Sequence, residues 1–219
     1  ASLLAEVGVA GAVHVTADPV LALQAPGALP PRTAFPEAGG RPVCLICPRA
    51  FPGWPQTKPV LAAAASHLAG TFAAHIALLP LQPERDGAAC RELREAIGGG
   101  ASLVTPPARI GPLLSLIGAA ELVVGVRLHA LIFATVMGVG CLGIGYDPKV
   151  GNFLAELGQA PLPADAKGED VMVGLERAWT ERAALARRAR ELLPGLRARA
   201  GRTAELASSL LGGPGSGQD

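Results

Sequence analysis

The feature that most constrains the fold is an alternation of short apolar runs with longer segments of helical periodicity. The runs are apolar at successive positions rather than at every second one. Continuous apolar strands, each followed by a helix, are typical of a parallel sheet covered on both faces. The sequence therefore predicts an α/β fold with a doubly wound, Rossmann-like parallel sheet. With 219 residues, 50% of them hydrophobic, the chain can bury the core of such a domain.

The apolar runs and the segments between them give the expected elements. Strands are predicted at Ala12–Thr16, Pro42–Cys47, His75–Leu81, Ser102–Thr105, Leu122–Val126 and Gly140–Gly145. Helices are predicted at Lys58–Phe72, Glu84–Ile97, Arg109–Ala119, Leu128–Met137 and Val150–Leu157. Residues 24–40 are rich in Pro and Gly and are interpreted as a linker or crossover.

After Pro163 the pattern predicts helices. One long helix is predicted for Gly168–Leu193, followed by a break at Pro194-Gly195 and a second helix ending near Leu211. The predicted organisation has three parts: a Rossmann-like domain over residues 1–165, C-terminal helices over residues 166–211 and a disordered tail over residues 212–219.

The C-terminal helices are rich in arginine, with eight Arg and four Glu between residues 176 and 205. We interpret this region as a solvated helix face, and the alternative is docking onto a neighbouring domain or an anionic surface. The formal net charge of the whole chain is only +1, which argues against a nucleic-acid partner.

The four cysteines are interpreted as reduced, buried thiols of a cytoplasmic protein. Cys44 and Cys47 match the C-x-x-C spacing, but within one strand they face opposite sides of the sheet. A metal or redox role for this pair is the less favoured alternative. No signal peptide and no uninterrupted apolar stretch of about 18 residues is present. The helical pattern at Ala1 indicates that the chain begins inside a longer protein.

Polar side chains follow four of the predicted strands at their carboxyl ends, the edge where open parallel sheets bind ligands. Gln82, Arg85 and Asp86 follow the strand His75–Leu81. Arg49 follows the first of these strands, and Arg127 and His129 follow another. Tyr146, Asp147 and Lys149 follow the strand Gly140–Gly145. The sequence thus predicts a cationic rim at one edge of the sheet.

Arg127 stands at the start of an apolar helical segment, where backbone N–H groups and the helix dipole attract an anion. Its guanidinium can bind phosphate or carboxylate with two parallel hydrogen bonds. His129, in the first helical turn, is a candidate for proton transfer. The structural alternative is that Arg127 pairs with an aspartate and His129 packs against the next strand.

Several common site motifs are absent. The sequence has no G-x-x-x-x-G-K-[ST], no G-x-G-x-x-G after the first strand and no His/Asp/Glu cluster with metal-ligand spacing. The segment GIGYD lacks the serine of a nucleophile elbow. P-loop, dinucleotide-binding and serine hydrolase functions therefore have no support.

The motifs at the strand ends resemble the polysaccharide pyruvyl transferase family, closest to the branch that decorates bacterial cell-wall polysaccharides. The resemblance is carried by Thr16-Ala17-Asp18-Pro19, Ile46-Cys47-Pro48-Arg49, Leu79-Pro80…Asp86, Val124-Gly125-Val126-Arg127-Leu128-His129-Ala130 and Gly145-Tyr146-Asp147-Pro148-Lys149-Val150. It implies the C-terminal, donor-binding half of a GT-B-type two-domain fold. It also implies phosphoenolpyruvate as the donor substrate, a pyruvate ketal on a sugar as the product, and no metal or other cofactor.

The resemblance also implies roles for single residues. Arg127 and Arg49 would hold the phosphate and carboxylate of the donor, next to Leu128, and Lys149 would add a point charge for phosphate. His129 would be the general acid/base. Tyr146 and Asp147 are expected to shape the loop. The family usually has Ala after Asp-Pro, whereas this chain has Val20.

The expected partners are phosphoenolpyruvate, a polysaccharide or lipid-linked sugar acceptor, and an N-terminal domain outside this chain. A cytoplasmic location is expected, with peripheral contact at the inner face of the membrane. Two alternatives stay open. One is a GT-B nucleotide-sugar glycosyltransferase, and the other is a non-catalytic domain whose Arg-rich helices dock a partner.

Overall fold

The computed structural model describes residue 4, residues 6–11 and residues 13–211 of the chain. It divides into two compact units. The larger unit consists of residues 24–192, and the smaller unit consists of residues 1–23 and 193–219. The predicted tail at residues 212–219 lies outside the described residues.

The larger unit is built on a six-stranded parallel sheet with the strand order β3-β2-β1-β4-β5-β6. The strands are β1 Val43–Cys47, β2 His75–Leu78, β3 Ala101–Leu103, β4 Leu122–Gly125, β5 Gly140–Gly145 and β6 Leu162–Pro163. Every residue of β1, β2 and β4 is buried, as expected for strands covered by helices on both faces. The predicted doubly wound, Rossmann-like sheet is therefore confirmed.

Helices connect and flank the strands. They are α1 Pro31–Ala34, α2 Trp54–Phe72, α3 Pro83–Ala96, α4 Ile110–Ile117, α5 Leu128–Val136, α6 Pro148–Glu156, α7 Gly168–Thr180 and α8 Arg182–Leu211. Two short 3-10 helices lie at Pro19–Ala22 and Pro36–Ala38. In α2, the fully buried side chains of Leu61, Ala65 and Leu68 belong to the hydrophobic core around the sheet.

Two glycines on neighbouring strands bring helices close to the sheet. Gly125 of β4 and Gly143 of β5 are paired in register. A Cβ atom on Gly125 would lie 2.8 Å from Leu131 Cδ2 of α5, and one on Gly143 would lie 2.9 Å from Leu131 Cδ1. The start of α5 can approach the carboxyl ends of these strands because neither glycine has a side chain.

Three sequence predictions were wrong. No strand forms at residues 13–16, where Val15 is 68% exposed, so this apolar run has no sheet to cover it. The predicted helix Gly168–Leu193 is instead divided at Glu181, between α7 and α8. There the Nη1 of Arg182 donates to the Trp179 carbonyl oxygen at 2.7 Å, and its guanidinium stacks on the Trp179 ring. Pro194 lies within α8, so a proline that removes one N–H did not end this helix.

Candidate functional site

The candidate site lies at the carboxyl edge of the sheet, where strand order reverses. The chain proceeds outward from β1 to β2 and β3, and then returns to place β4 on the other side of β1. Ligands of open α/β sheets bind in the crevice at this kind of reversal. The segments that leave β1, β4 and β5 carry Arg49, Arg127 and Tyr146 to this edge.

Arg127 is held by a buried carboxylate. Its Nε donates to Asp86 Oδ2 and its Nη2 donates to Asp86 Oδ1, both at 2.6 Å. The Asp86 side chain is fully buried, and only 12% of the Arg127 side chain is exposed. The backbone N–H of Gln82 also donates to Asp86 Oδ2, at 2.9 Å. Because β1 lies between β2 and β4, this ion pair spans the carboxyl end of β1.

Arg49 contacts a tyrosine rather than a carboxylate. Its Nη1 donates to the Tyr146 hydroxyl at 2.8 Å, and its guanidinium carbon lies 5.6 Å from the centre of that ring. The Phe51 ring stacks on Tyr146 with 5.0 Å between ring centres. A Cβ atom on Gly53 would lie 2.8 Å from the Phe51 ring, so the absence of a side chain at Gly53 leaves room for this ring. Within the described residues no carboxylate forms an ion pair with Arg49.

The remaining predicted residues lie at the starts of α5 and α6. His129, in the first turn of α5, is exposed, and its ring lies 5.9 Å from that of Phe133. Leu128, the first residue of α5, is half-buried. Lys149 is exposed, and its backbone N–H donates to Asp147 Oδ1 at 2.9 Å. Asp147 therefore caps α6, as expected for a residue that shapes the loop.

The cysteines contribute packing rather than reactive thiolates. Cys44, Cys47, Cys90 and Cys141 are all free and buried. Burial raises the pKa of Cys44, Cys90 and Cys141 to about 12. Burial, and then the neighbouring Cys90 and Asp86, raises the pKa of Cys47 well above its usual value. At neutral pH these thiols are protonated and poorly nucleophilic.

In the part of the chain that the structure describes, no group of three His, Cys, Asp or Glu side chains is placed to hold a metal ion. The same residues include no helix with the length and apolar character of a membrane span.

Comparison with protein-family models matches residues 1–148 to the polysaccharide pyruvyl transferase model. The chain belongs to this family. Comparison with curated proteins finds no significant match. As a polysaccharide pyruvyl transferase family member, the chain carries Arg49, Arg127 and His129 within the matched segment, whereas Lys149 lies one residue beyond it.

Solved structures confirm the fold of this family member. A protein described as a UDP-N-acetylglucosamine 2-epimerase from Listeria monocytogenes has a TM-score of 0.66 at 16% identity, covering 99% of this chain and 58% of its own. WaaG, a glycosyltransferase involved in lipopolysaccharide biosynthesis, has a TM-score of 0.56 at 16% identity. The match covers 84% of this chain and 55% of WaaG. A trehalose-phosphate synthase from Burkholderia vietnamiensis has a TM-score of 0.53 at 15% identity. The match covers 89% of this chain and 51% of the synthase.

Solved structures with a similar fold include GT-B glycosyltransferases. This pyruvyl transferase family chain spans about half the length of each of the three, since 51% to 58% of their residues are covered. Identities of 15% to 16% carry information about the fold alone.

Sequence reasoning located the arginines at the strand ends but did not identify their partners. The structural alternative for Arg127, pairing with an aspartate, is realised through Asp86. Arg49 and Arg127 lie after adjacent strands, yet each reaches across a neighbouring strand end, toward Tyr146 and Asp86 respectively. Asp86 is visible in the sequence as an acidic residue at the start of α3. Its pairing with Arg127 can be predicted only when the strand order is known.

Proposed function

We propose that this chain is the donor-binding part of a pyruvyl transferase that moves the enolpyruvyl group of phosphoenolpyruvate onto a sugar as a pyruvate ketal. The observation that carries the proposal is the pairing of β1 with β4 in a member of this family. That pairing sets Arg49 and Arg127 after adjacent strands, at the crevice where the sheet order reverses. Two arginines suit a donor with one phosphate and one carboxylate.

The reaction sets the chemical requirements of the site. The methylene carbon of the donor gains a proton and becomes a methyl group. One sugar hydroxyl adds to the central carbon, phosphate leaves, and a second hydroxyl closes the ketal. The two hydroxyl protons end on the new methyl group and on the released phosphate, so the atoms balance. The site must therefore supply a proton, accept protons and stabilise the departing anion.

The exposed position of His129 in the first turn of α5 supports it as the general acid/base of this reaction. Lys149, exposed at the start of α6, would attract the phosphate as a point charge. Leu128 would contact the donor between these groups. Arg49 is the better candidate for the more highly charged phosphate, because its partner Tyr146 is neutral whereas Arg127 already faces Asp86.

Calorimetric titration of this chain with phosphoenolpyruvate tests the proposal, with UDP and inorganic phosphate as competing ligands. We expect saturable binding of phosphoenolpyruvate that exceeds both, and at least tenfold weaker binding in Arg127→Ala. The matched control is Arg188→Ala, which removes one positive charge from α8, where Arg188 lies 3.8 Å from Glu191. This variant is expected to bind like the unaltered chain.

Preference for UDP would instead support a nucleotide-sugar glycosyltransferase, the reaction class of some proteins with this fold. Failure to bind any of the three ligands would contradict a donor-binding role and favour a non-catalytic domain. Equal losses in Arg127→Ala and Arg188→Ala would mean that net charge, rather than the carboxyl edge of the sheet, attracts the donor.

A further inference from the structure

Asp86 holds Arg127 by only one of the two edges that a guanidinium can offer. The hydrogen bonds use Nε and Nη2, the side-on edge. The end-on edge, formed by Nη1 and the second N–H of Nη2, is a separate pair of donors in the same rigid plane. Among the described residues, no protein group accepts a hydrogen bond from Nη1 of Arg127. The residue can therefore bind Asp86 and a ligand anion together.

Asp86 is not placed to touch a ligand itself. Its side chain is fully buried, and its two oxygens already accept three N–H donors, two from Arg127 and one from Gln82. Protein donors therefore use three of the roughly four acceptor positions of this carboxylate. Any influence that it has on donor binding passes through Arg127.

We infer that Asp86 is a positioning residue, which fixes the guanidinium of Arg127 so that its end-on edge faces an anionic group of phosphoenolpyruvate. This inference rests on the proposed function. An arginine that is already ordered loses less conformational freedom when it binds its ligand, which strengthens binding. The carboxylate also opposes the anion electrostatically, so positioning and charge act on the affinity in opposite directions. Whether removal of the Asp86 charge weakens or strengthens donor binding therefore shows which of the two effects is larger.

The test compares phosphoenolpyruvate affinity by calorimetry in four forms of this chain: unaltered, Asp86→Asn, Arg127→Ala and the double variant. Asn has nearly the same shape but only one acceptor oxygen, so it cannot hold both N–H groups of the side-on edge. We expect Asp86→Asn to weaken binding at least tenfold. In the Arg127→Ala background, we expect the same change to have no further effect. The matched control, Glu92→Gln on the same helix, alters a carboxylate paired with Lys58 and should leave affinity unchanged.

A second readout, the NMR signal of the Arg127 Nε–H, separates loss of order at the guanidinium from loss of the fold. We expect this proton to exchange slowly with water in the unaltered chain without ligand, and to be lost from the spectrum in Asp86→Asn while the amide spectrum is retained. Tighter donor binding in Asp86→Asn would overturn the inference, because the carboxylate would then act as a competitor. An equal loss with and without Arg127 would also overturn it.

These outcomes are separate from failure of the proposed function. If the unaltered chain does not prefer phosphoenolpyruvate to inorganic phosphate, the proposed function fails first and the inference fails with it. If Asp86→Asn does not fold, Arg127→Lys is the substitute. A lysine held by Asp86 keeps the charge but offers no second edge, so we expect at least tenfold weaker binding. Unchanged affinity in Arg127→Lys would overturn the inference.

Discussion

His75, at the amino end of β2, illustrates how one side chain can link fold stability to pH. The Nη2 of Arg41 lies 2.9 Å from His75 Nδ1 and can only donate, so Nδ1 accepts. The ring proton is therefore on Nε2, which lies 2.8 Å from Ser102 Oγ. Burial first, and then the charge of Arg41, lowers the pKa of this buried ring below 6.5. At neutral pH His75 is therefore neutral in the folded protein.

This lowered pKa predicts a loss of stability in acid. As the pH falls below about 6.5, the unfolded chain binds a proton at His75 before the folded chain does. The free energy of unfolding should therefore decrease until the lower pKa of the folded state is passed. Chemical denaturation at pH 7.5 and pH 5.5 measures this difference, which should be smaller in His75→Gln. An equal pH dependence in both proteins would contradict the assignment.

The residue scale also shows what the sequence could predict. Arg127 and His129 were predicted at the start of a helix after a buried strand, because the change from apolar to charged residues is local. Asp86 is separated from Arg127 by 41 positions, and their contact depends on β1 lying between β2 and β4. The Arg49–Tyr146 contact, over 97 positions, depends on strand order in the same way. Contacts of this kind are set by topology, which local patterns do not encode.

At the scale of elements, the paired glycines of β4 and β5 determine how closely helices approach the site. A Cβ atom on Gly143 would lie 2.7 Å from Leu154 Cδ1 of α6 and 2.9 Å from both Leu131 Cδ1 and Val150 Cγ1. These contacts are with side chains of two helices, so relieving them shifts those side chains or moves α5 and α6. Where a helix moves, the functional side chains at its start move with it.

Gly143→Ala is therefore expected to lower the free energy of unfolding by about 1–3 kcal/mol, the usual cost of overpacking a core. Denaturant unfolding provides the measurement. Gly168→Ala is the matched control, because a Cβ atom there has no neighbour within 4 Å. Retained stability in Gly143→Ala would show that the helices can shift at little cost.

Elements were predicted well where the pattern was either long or continuously apolar. The strands β1, β4 and β5 and the helices α2, α3 and α5 all form close to their predicted places. The two-residue strand β6 was not predicted, because Leu162–Pro163 is too short to show a period. The division between α7 and α8 was missed because Glu181 is not a helix-breaking residue, whereas Pro194 is one and lies inside α8.

At the scale of the whole molecule, the Asp86–Arg127 pair ties together the connections on both sides of the central strand. It joins the segment after β2 to the segment after β4, over the end of β1. The family match over residues 1–148 includes all three segments. A single buried contact thus stabilises the edge of the sheet at which the donor is proposed to bind.

Removing one member of this pair should destabilise the larger unit. Asp86→Ala leaves the Arg127 charge without its buried partner, and we expect a loss of about 3–5 kcal/mol in the free energy of unfolding. Glu92→Gln, which alters the half-exposed pair with Lys58, should cost less than about 1 kcal/mol. Denaturant titrations of both variants measure the difference. Similar losses in the two variants would mean that burial adds little to the Asp86 contact.

The hydrogen bond from the Gln82 N–H to Asp86 has a kinetic consequence. The same carboxylate accepts this backbone proton and both protons from Arg127. When the Asp86 carboxylate moves away from Gln82 together with Arg127, the Gln82 amide loses its acceptor and can exchange with water. The hydrogen-exchange rate of this one amide therefore measures how often the whole contact opens.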